Sequence, residues 1–147
     1  IIKENNLSVS LMHMKGTPKN MQDNPYYDDV VDEIYTYLEN KVSNCLNNGI
    51  DRNKIIIDPG FGFGKTVKHN YTILNNLKKF SDLTDNILVG ISRKSMIGAV
   101  TGKEPNDRLY GSIAAESIAI FNGARIIRVH DIEPSVIMKN VIERMYI

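Results

Sequence analysis

Chemically able residues stand at the ends of four apolar runs. His13 and Lys15 follow the first, Asp58 the second, Ser92, Arg93 and Lys94 the third, and Arg128 with His130 the fourth. In α/β proteins ligands bind at the carboxyl ends of the strands, so four such endings in succession predict one shared mouth. Lys15, Lys65, Arg93, Lys94 and Arg128 outnumber Asp58 and Asp131 there, which predicts an anionic ligand. Arginine grips phosphate or carboxylate through two parallel hydrogen bonds, and a neighbouring histidine can donate one or carry a proton near neutrality. Arg128 and His130 are two apart on a strand-like run, so both can face one side.

Asp58 follows three isoleucines and precedes Pro59, a context that predicts a partly buried carboxylate needing a partner. It could bind a guanidine-like N–H edge of a ligand, or cap the next turn. Gly60, Gly62 and Gly64 come next and predict a flexible loop presenting Phe61 and Phe63 beside the mouth. The order Gly64, Lys65, Thr66 between a strand and a helix invites a phosphate-loop reading, but its first glycine would have to be Pro59. Cys45 has no activating polar neighbours and His69 reads as a solvated helix residue. A Ser92–His130–Asp58 triad lacks the G-x-S-x-G elbow.

The elements that must hold these residues follow from periodicity. Leu7 to Met14 reads as a buried strand stopped by Lys15-Gly-Thr-Pro18. From Asp28, the spacing of Val31, Ile34, Leu38, Val42 and Leu46 predicts a long amphipathic helix ending before Gly49. Lys54 to Asp58 reads as a strand buried on both faces, and beyond Thr66 the stripe of Ile73, Leu74, Leu77 and Phe80 as a helix. Ile87 to Ser92 is a third strand. Asn106 to Asn122 is a helix with an apolar stripe of Leu109, Ile113, Ile118 and Phe121; Ile126 to Val129 is a strand; Pro134 opens a last helix. Strand-then-helix alternation of this kind implies an α/β fold with a parallel sheet covered by helices.

Composition narrows the class. The chain has 147 residues, 42% hydrophobic and 24% charged, which suits one ordered domain. Eighteen Lys and Arg against 17 Asp and Glu leave +1, too balanced for nucleic-acid binding through net charge. One cysteine makes no internal disulfide, no apolar stretch is long enough to span a membrane, and no signal-peptide layout is visible; a cytoplasmic setting is expected. The opening at Ile1, without Met and within a few residues of a strand, predicts a piece of a longer polypeptide.

Five blocks taken together resemble dihydropteroate synthase: L-M-H-M-K-G-T-P at 11–18, D-P-G-F-G-F-G-K at 58–65, G-I-S-R-K-S-M-I-G at 90–98, R-L-Y-G-S at 108–112 and R-V-H-D at 128–131. The likeness covers residues 1–147 but only the second half of that family's TIM (βα)8 barrel, about strands 5–8 and helices 5–8; a whole barrel takes about 250 residues. It implies a folate-pathway transferase and sulfonamide target that joins dihydropterin pyrophosphate to p-aminobenzoate. Asp58 and Lys94 would hold the pterin, with Met12 and Gly90 lining its pocket. Arg128 would lie over the pterin and reach the pyrophosphate, with His130 a second anion contact. Ser95 and Phe63 would receive the aminobenzoate, and Lys94, Arg128 and His130 would carry the catalysis.

The resemblance further implies a Mg2+ ion whose ligand lies in the absent N-terminal half, no metal ligand in this chain, and a homodimer. Without the N-terminal half, strand edges would be exposed, so the chain alone is expected to be inactive. Two other readings compete. A related pterin-binding methyltransferase would share the deep acid but is not expected to carry S-R-K-S with R-V-H-D. A silent half-barrel could serve as a binding or assembly partner.

Overall fold

Strands and helices alternate along residues 1–146, the part of the chain described by this computed structural model. In order they are β1 (Val9–Met12), α1 (Val30–Asn47), β2 (Ile55–Asp58), α2 (Val67–Asn75), β3 (Leu88–Val89), α3 (Ser95–Thr101), α4 (Leu109–Phe121), β4 (Ile126–Ile127) and α5 (Ile132–Glu143). β1 pairs in parallel with β2, and β3 with β4. A parallel bridge between Ile57 and Ile87 joins the two pairs, so spatial order follows chain order.

Local chemistry sets the boundaries. The Asp29 carboxylate accepts from the N–H groups of Val31 and Asp32 and starts α1, and Asp32 and Glu33 face the positive end of its dipole. Val31, Ile34, Leu38 and Val42 are buried as the spacing predicts. α2 opens on a reciprocal box in which Thr66 Oγ1 accepts from His69 N–H and His69 Nδ1 accepts from Thr66 N–H. His69 also stands edge-on to Tyr27, with ring centroids 5.0 Å apart. It therefore lies on a helix as expected, half-buried, and caps its first turn. β2 carries Ile55 and Ile57 at 0% exposure, against Ile34, Leu38, Ile73, Leu77 and Phe80. Each such side chain contributes about 1.5–3 kcal/mol by leaving water.

Several expectations need correction. β3 and β4 are two residues long rather than six and four, because the backbone turns away to form the mouth. α3 was not visible in the periodicity: at seven residues it is too short to show a repeat. The helix around Pro134 starts at Ile132, with Pro134 inside its first turn. α4 is turned relative to its predicted stripe. Ser112, Ala115, Glu116 and Ala119 are buried, while Ile118 and Phe121 are 48% and 44% exposed. Small residues let α4 approach its neighbours closely, and the larger aliphatic side chains are left on the other face.

Candidate functional site

The carboxyl end of β2 forms the floor. Asp58 is 3% exposed, and its Oδ1 accepts from Gly60 N–H at 2.7 Å. Its backbone carbonyl accepts from His13 N–H at 3.0 Å, which ties the ends of β1 and β2. Arg128 Nη2, arriving from beyond β4, lies 3.8 Å from Asp58 Oδ2. Asp58 Oδ1 thus caps the turn, one of the two roles expected of it, and Oδ2 is left toward the Arg128 guanidinium. Burial pushes its carboxyl up, opposed by the Gly60 N–H and by the charges of Arg128, Lys94 and Lys65.

The glycine loop is pinned rather than flexible. Gly62 N–H donates to Asn70 Oδ1 at 2.7 Å, Tyr27 Oη donates to Gly64 carbonyl at 2.8 Å, and Gln22 Nε2 donates to Gly62 carbonyl. Gly60 has φ 73°, and a Cβ there would sit 1.8 Å from the His13 carbonyl oxygen, so no other residue fits the turn. Phe61 is fully buried in the core, not at the mouth; only its carbonyl serves the site, accepting from Lys94 Nζ. Phe63 is half-buried, with Lys94 Nζ 4.7 Å from its ring centroid.

Beneath this loop lies a buried lysine. Lys65, 3% exposed, donates to Phe63 carbonyl at 3.0 Å, and its Nζ sits 3.0 Å from His13 Nδ1. Burial pulls the Lys65 ammonium down to about 7, with Asp58 opposing. Burial, then the Lys65 and Lys15 charges, hold His13 down to about 4, so its neutral ring can accept the lysine proton. Lys94, at the start of α3, falls to about 8 through burial, again opposed by Asp58.

Asp58, Lys94, Arg128, Phe63 and Gly90 come together. A Cβ on Gly90 would lie 2.9 Å from Arg128 Nη2, so the guanidinium crosses directly over this glycine. Met12 is paired in register with Asp58. Ser95, the first residue of α3, and His130 are both exposed; neither side chain makes a hydrogen bond or ion pair among the described residues. Two of the expected mouth cations are committed elsewhere. Arg93 forks onto Asp131, with Nε to Oδ2 at 2.9 Å, and Lys15 pairs with Glu33 at 3.1 Å and stands 4.0 Å from the Tyr27 ring centroid. A carboxylate with one oxygen on a backbone N–H and the other beside a guanidinium, flanked by two cations and a ring, can accept from the N–H edge of a flat ligand while the cations hold an attached anion.

The sequence marks His13 and Lys65 only as separate strand-end and mouth residues, and does not mark Glu116 at all. The His13–Lys65 pair joins residues 52 apart, and nothing local marks a lysine after a glycine loop as buried. Glu116, 1% exposed, accepts from Ser135 Oγ at 3.1 Å. The signal for it was present: the small residues Ser112, Ala115 and Ala119 mark the inner face of α4, and Glu116 lies on it. Among the described residues no three His, Cys, Asp or Glu side chains gather to hold a metal ion. No helix among them is long and apolar enough to cross a membrane.

Comparison with known proteins agrees with this fold. The family model described as pterin binding enzyme matches residues 1–130. A dihydropteroate synthase of Haemophilus influenzae is 48% identical over 126 residues, covering 86% of this chain and 46% of that protein. The Yersinia pestis dihydropteroate synthase in its sulfonamide drug complex superposes with TM-score 0.93 at 43% identity, over 98% of this chain and 53% of that one. The Xanthomonas albilineans enzyme in complex with 7,8-dihydropteroate gives TM-score 0.89 at 37% identity, over 99% of this chain and 53% of that one. The chain spans about half the length of the curated relatives it matches. With its deep acid, its two flanking cations and this match over most of its length, the chain belongs to the pterin-binding enzyme family.

Proposed function

We propose that this chain supplies strands five to eight of a dihydropteroate synthase barrel, which condenses dihydropterin pyrophosphate with p-aminobenzoate to dihydropteroate and pyrophosphate in the cytoplasm. The observation that carries the reading is the convergence of Asp58, Lys94 and Arg128 from the ends of three different strands on one floor. Asp58 Oδ2 would accept from the pterin N–H edge, and Lys94 would donate to the same ring system. Met12 and Gly90 would line the pocket, Arg128 and His130 would hold the pyrophosphate, and Phe63 and Ser95 would meet the aminobenzoate ring and carboxylate.

The chemistry asked of these residues is electrostatic. As the C–O bond to pyrophosphate breaks, the bonding pair leaves with the anion and the exocyclic methylene carbon becomes cationic. The aromatic amine then attacks that carbon and loses its proton. Arg128, with His130 beside it, stabilises the departing anion, and no covalent enzyme intermediate is needed. Mg2+ is expected to bind the pyrophosphate through the other half of the barrel, and no step here depends on it.

β1 and β4 each pair on one side only among the described residues. A groove of about 590 Å³ beside β4, lined by Ile127, Val129, Ile132, Val136 and Ile142, is apolar in the way a covered surface is. Both features support a barrel completed by an N-terminal half; the homodimer rests on the family resemblance alone. The test is to co-fold this chain with strands one to four of a relative and assay dihydropteroate formation. Product is expected only from the mixture. In it Arg128→Ala should raise the barrier by about 2.7–4 kcal/mol, the usual result of removing one charge-stabilising donor. No product under any folding condition would favour a binding or assembly partner instead.

A further inference from the structure

We propose that Arg93 and Asp131 are positioning residues, a strap that sets the Lys94 loop against the Arg128–His130 segment; this inference rests on the function proposed above. Arg128 N–H still donates to the Val89 carbonyl at 2.9 Å, but beyond that bond neither the Lys94 loop nor the segment 129–131 has further sheet pairing to hold it. Their mutual position depends on what crosses between residues 92–94 and 128–131. Two adjacent rungs do so. His130 N–H donates to Ser92 Oγ at 3.3 Å, and the Arg93 guanidinium forks onto both Asp131 oxygens. A fork constrains direction as well as distance, which a single contact does not.

Arg93 is itself locked on every side. Its φ is 56°, a left-handed conformation that a branched or long side chain adopts only when its surroundings impose it. Its N–H donates to Ser112 Oγ at 2.9 Å, its carbonyl accepts from Arg108 Nη1 at 2.9 Å, and its Nη1 reaches Asn106 Oδ1 at 3.3 Å. The Asp131 end is anchored likewise. Its carbonyl accepts from Ser135 Oγ at 2.8 Å, and Ser135 in turn meets the buried Glu116. α4 therefore grips both ends of the strap, through Ser112 and through Glu116. With side chains 27% and 17% exposed, Arg93 and Asp131 spend their charges on one another and not on a ligand.

The test is a double-mutant cycle in the complete enzyme, with Arg93→Gln, Asp131→Asn and both together, reading kcat, KM and the Kd for inorganic pyrophosphate. A misplacement of about 1 Å costs up to ~10²-fold in rate, so each single variant should lose roughly 10–10²-fold in kcat. The pyrophosphate Kd should stay within about threefold, and the double variant should be no slower than the worse single one. Arg93→Lys, which keeps the charge without the fork, should recover little, and it replaces Arg93→Gln if that variant does not fold. Losses that multiply in the double variant overturn the strap. So does an Arg93→Gln that weakens pyrophosphate while Asp131→Asn does not, which would make Arg93 a direct anion contact. A wild-type enzyme that forms no dihydropteroate overturns the functional reading and the strap together.

Discussion

Gly90→Ala separates the stability of this site from its chemistry. The added Cβ would lie 2.9 Å from Arg128 Nη2, 3.0 Å from Nε and 3.3 Å from Cζ. Ordinary contacts fall at about 3.5–4.0 Å, so the guanidinium must retreat by roughly 0.5–1 Å. Because three of its atoms are crowded at once, rotation about one bond does not relieve the clash, and the whole group moves. The Arg128 side chain is 58% exposed and flexible, so this movement costs the fold little. Gly90 also lies outside the left-handed region, and alanine there lowers unfolded-chain entropy by about 0.4–1 kcal/mol. The melting temperature should therefore stay within about 4 °C of wild type or rise. The rate should not: a displacement of that size at a group proposed to hold the leaving anion predicts a fall in kcat approaching ~10²-fold. The assay is steady-state dihydropteroate formation in the complete enzyme beside a thermal melt of the same sample. A kcat within about threefold of wild type, or activity lost only in step with unfolding, refutes the placement of Arg128 over Gly90.

Two further predictions come from buried titratable groups. Burial pushes the Glu116 carboxyl up, the Ser135 and Ser92 hydroxyls oppose this, and Asp131 adds to it. Glu116 Oε2 accepts from Ser135 Oγ at 3.1 Å, a hydroxyl shared with the Asp131 carbonyl at 2.8 Å, and its buried Oε1 has no hydrogen-bond partner among the described residues, so the charged form is poorly compensated. The folded state then holds a proton that the unfolded chain releases, so this group's contribution is complete in acid and is lost as pH rises above the ordinary glutamate range. Glu116→Gln should gain in urea midpoint relative to wild type between pH 4 and 7; a difference flat with pH would contradict the raised carboxyl. His13 behaves oppositely. Its pKa, held down to about 4, makes stability present above about 6.5 and lost on acidification, by up to ~3 kcal/mol. His13→Gln should flatten the wild-type loss between pH 6.5 and 4, and equal slopes for the two proteins would exclude a buried neutral imidazole.

Much of the frame was legible because it is written in local repeats. The stripe from Val31 to Val42, the isoleucines of β2 and the punctuation at Gly49 and Gly123 each need only neighbours a turn or a pleat apart. Asp58 closes β2 as its run predicts, whereas Lys94 and Arg128 lie beyond strands that end at Val89 and Ile127, short of the expected Ser92 and Val129. α4 failed for an instructive reason. Its helix is apolar nearly all round, so periodicity had no contrast to read, and close approach to its neighbours selected Ser112, Ala115 and Ala119 for the inside.

Tertiary structure alone decided which charges are free. Lys15, Lys65, Arg93, Lys94 and Arg128 look alike as letters, yet Arg93 is consumed by Asp131 38 residues away and Lys65 is buried against His13 52 residues away. Lys94 and Arg128 are left facing the acid. Sequence determined the sheet-and-helix order and the rim on which the chemistry had to stand, because hydrophobic burial acts along each element. Pairing of charges acts through space between elements, over a few ångströms, and becomes readable only when the chain has brought distant residues together.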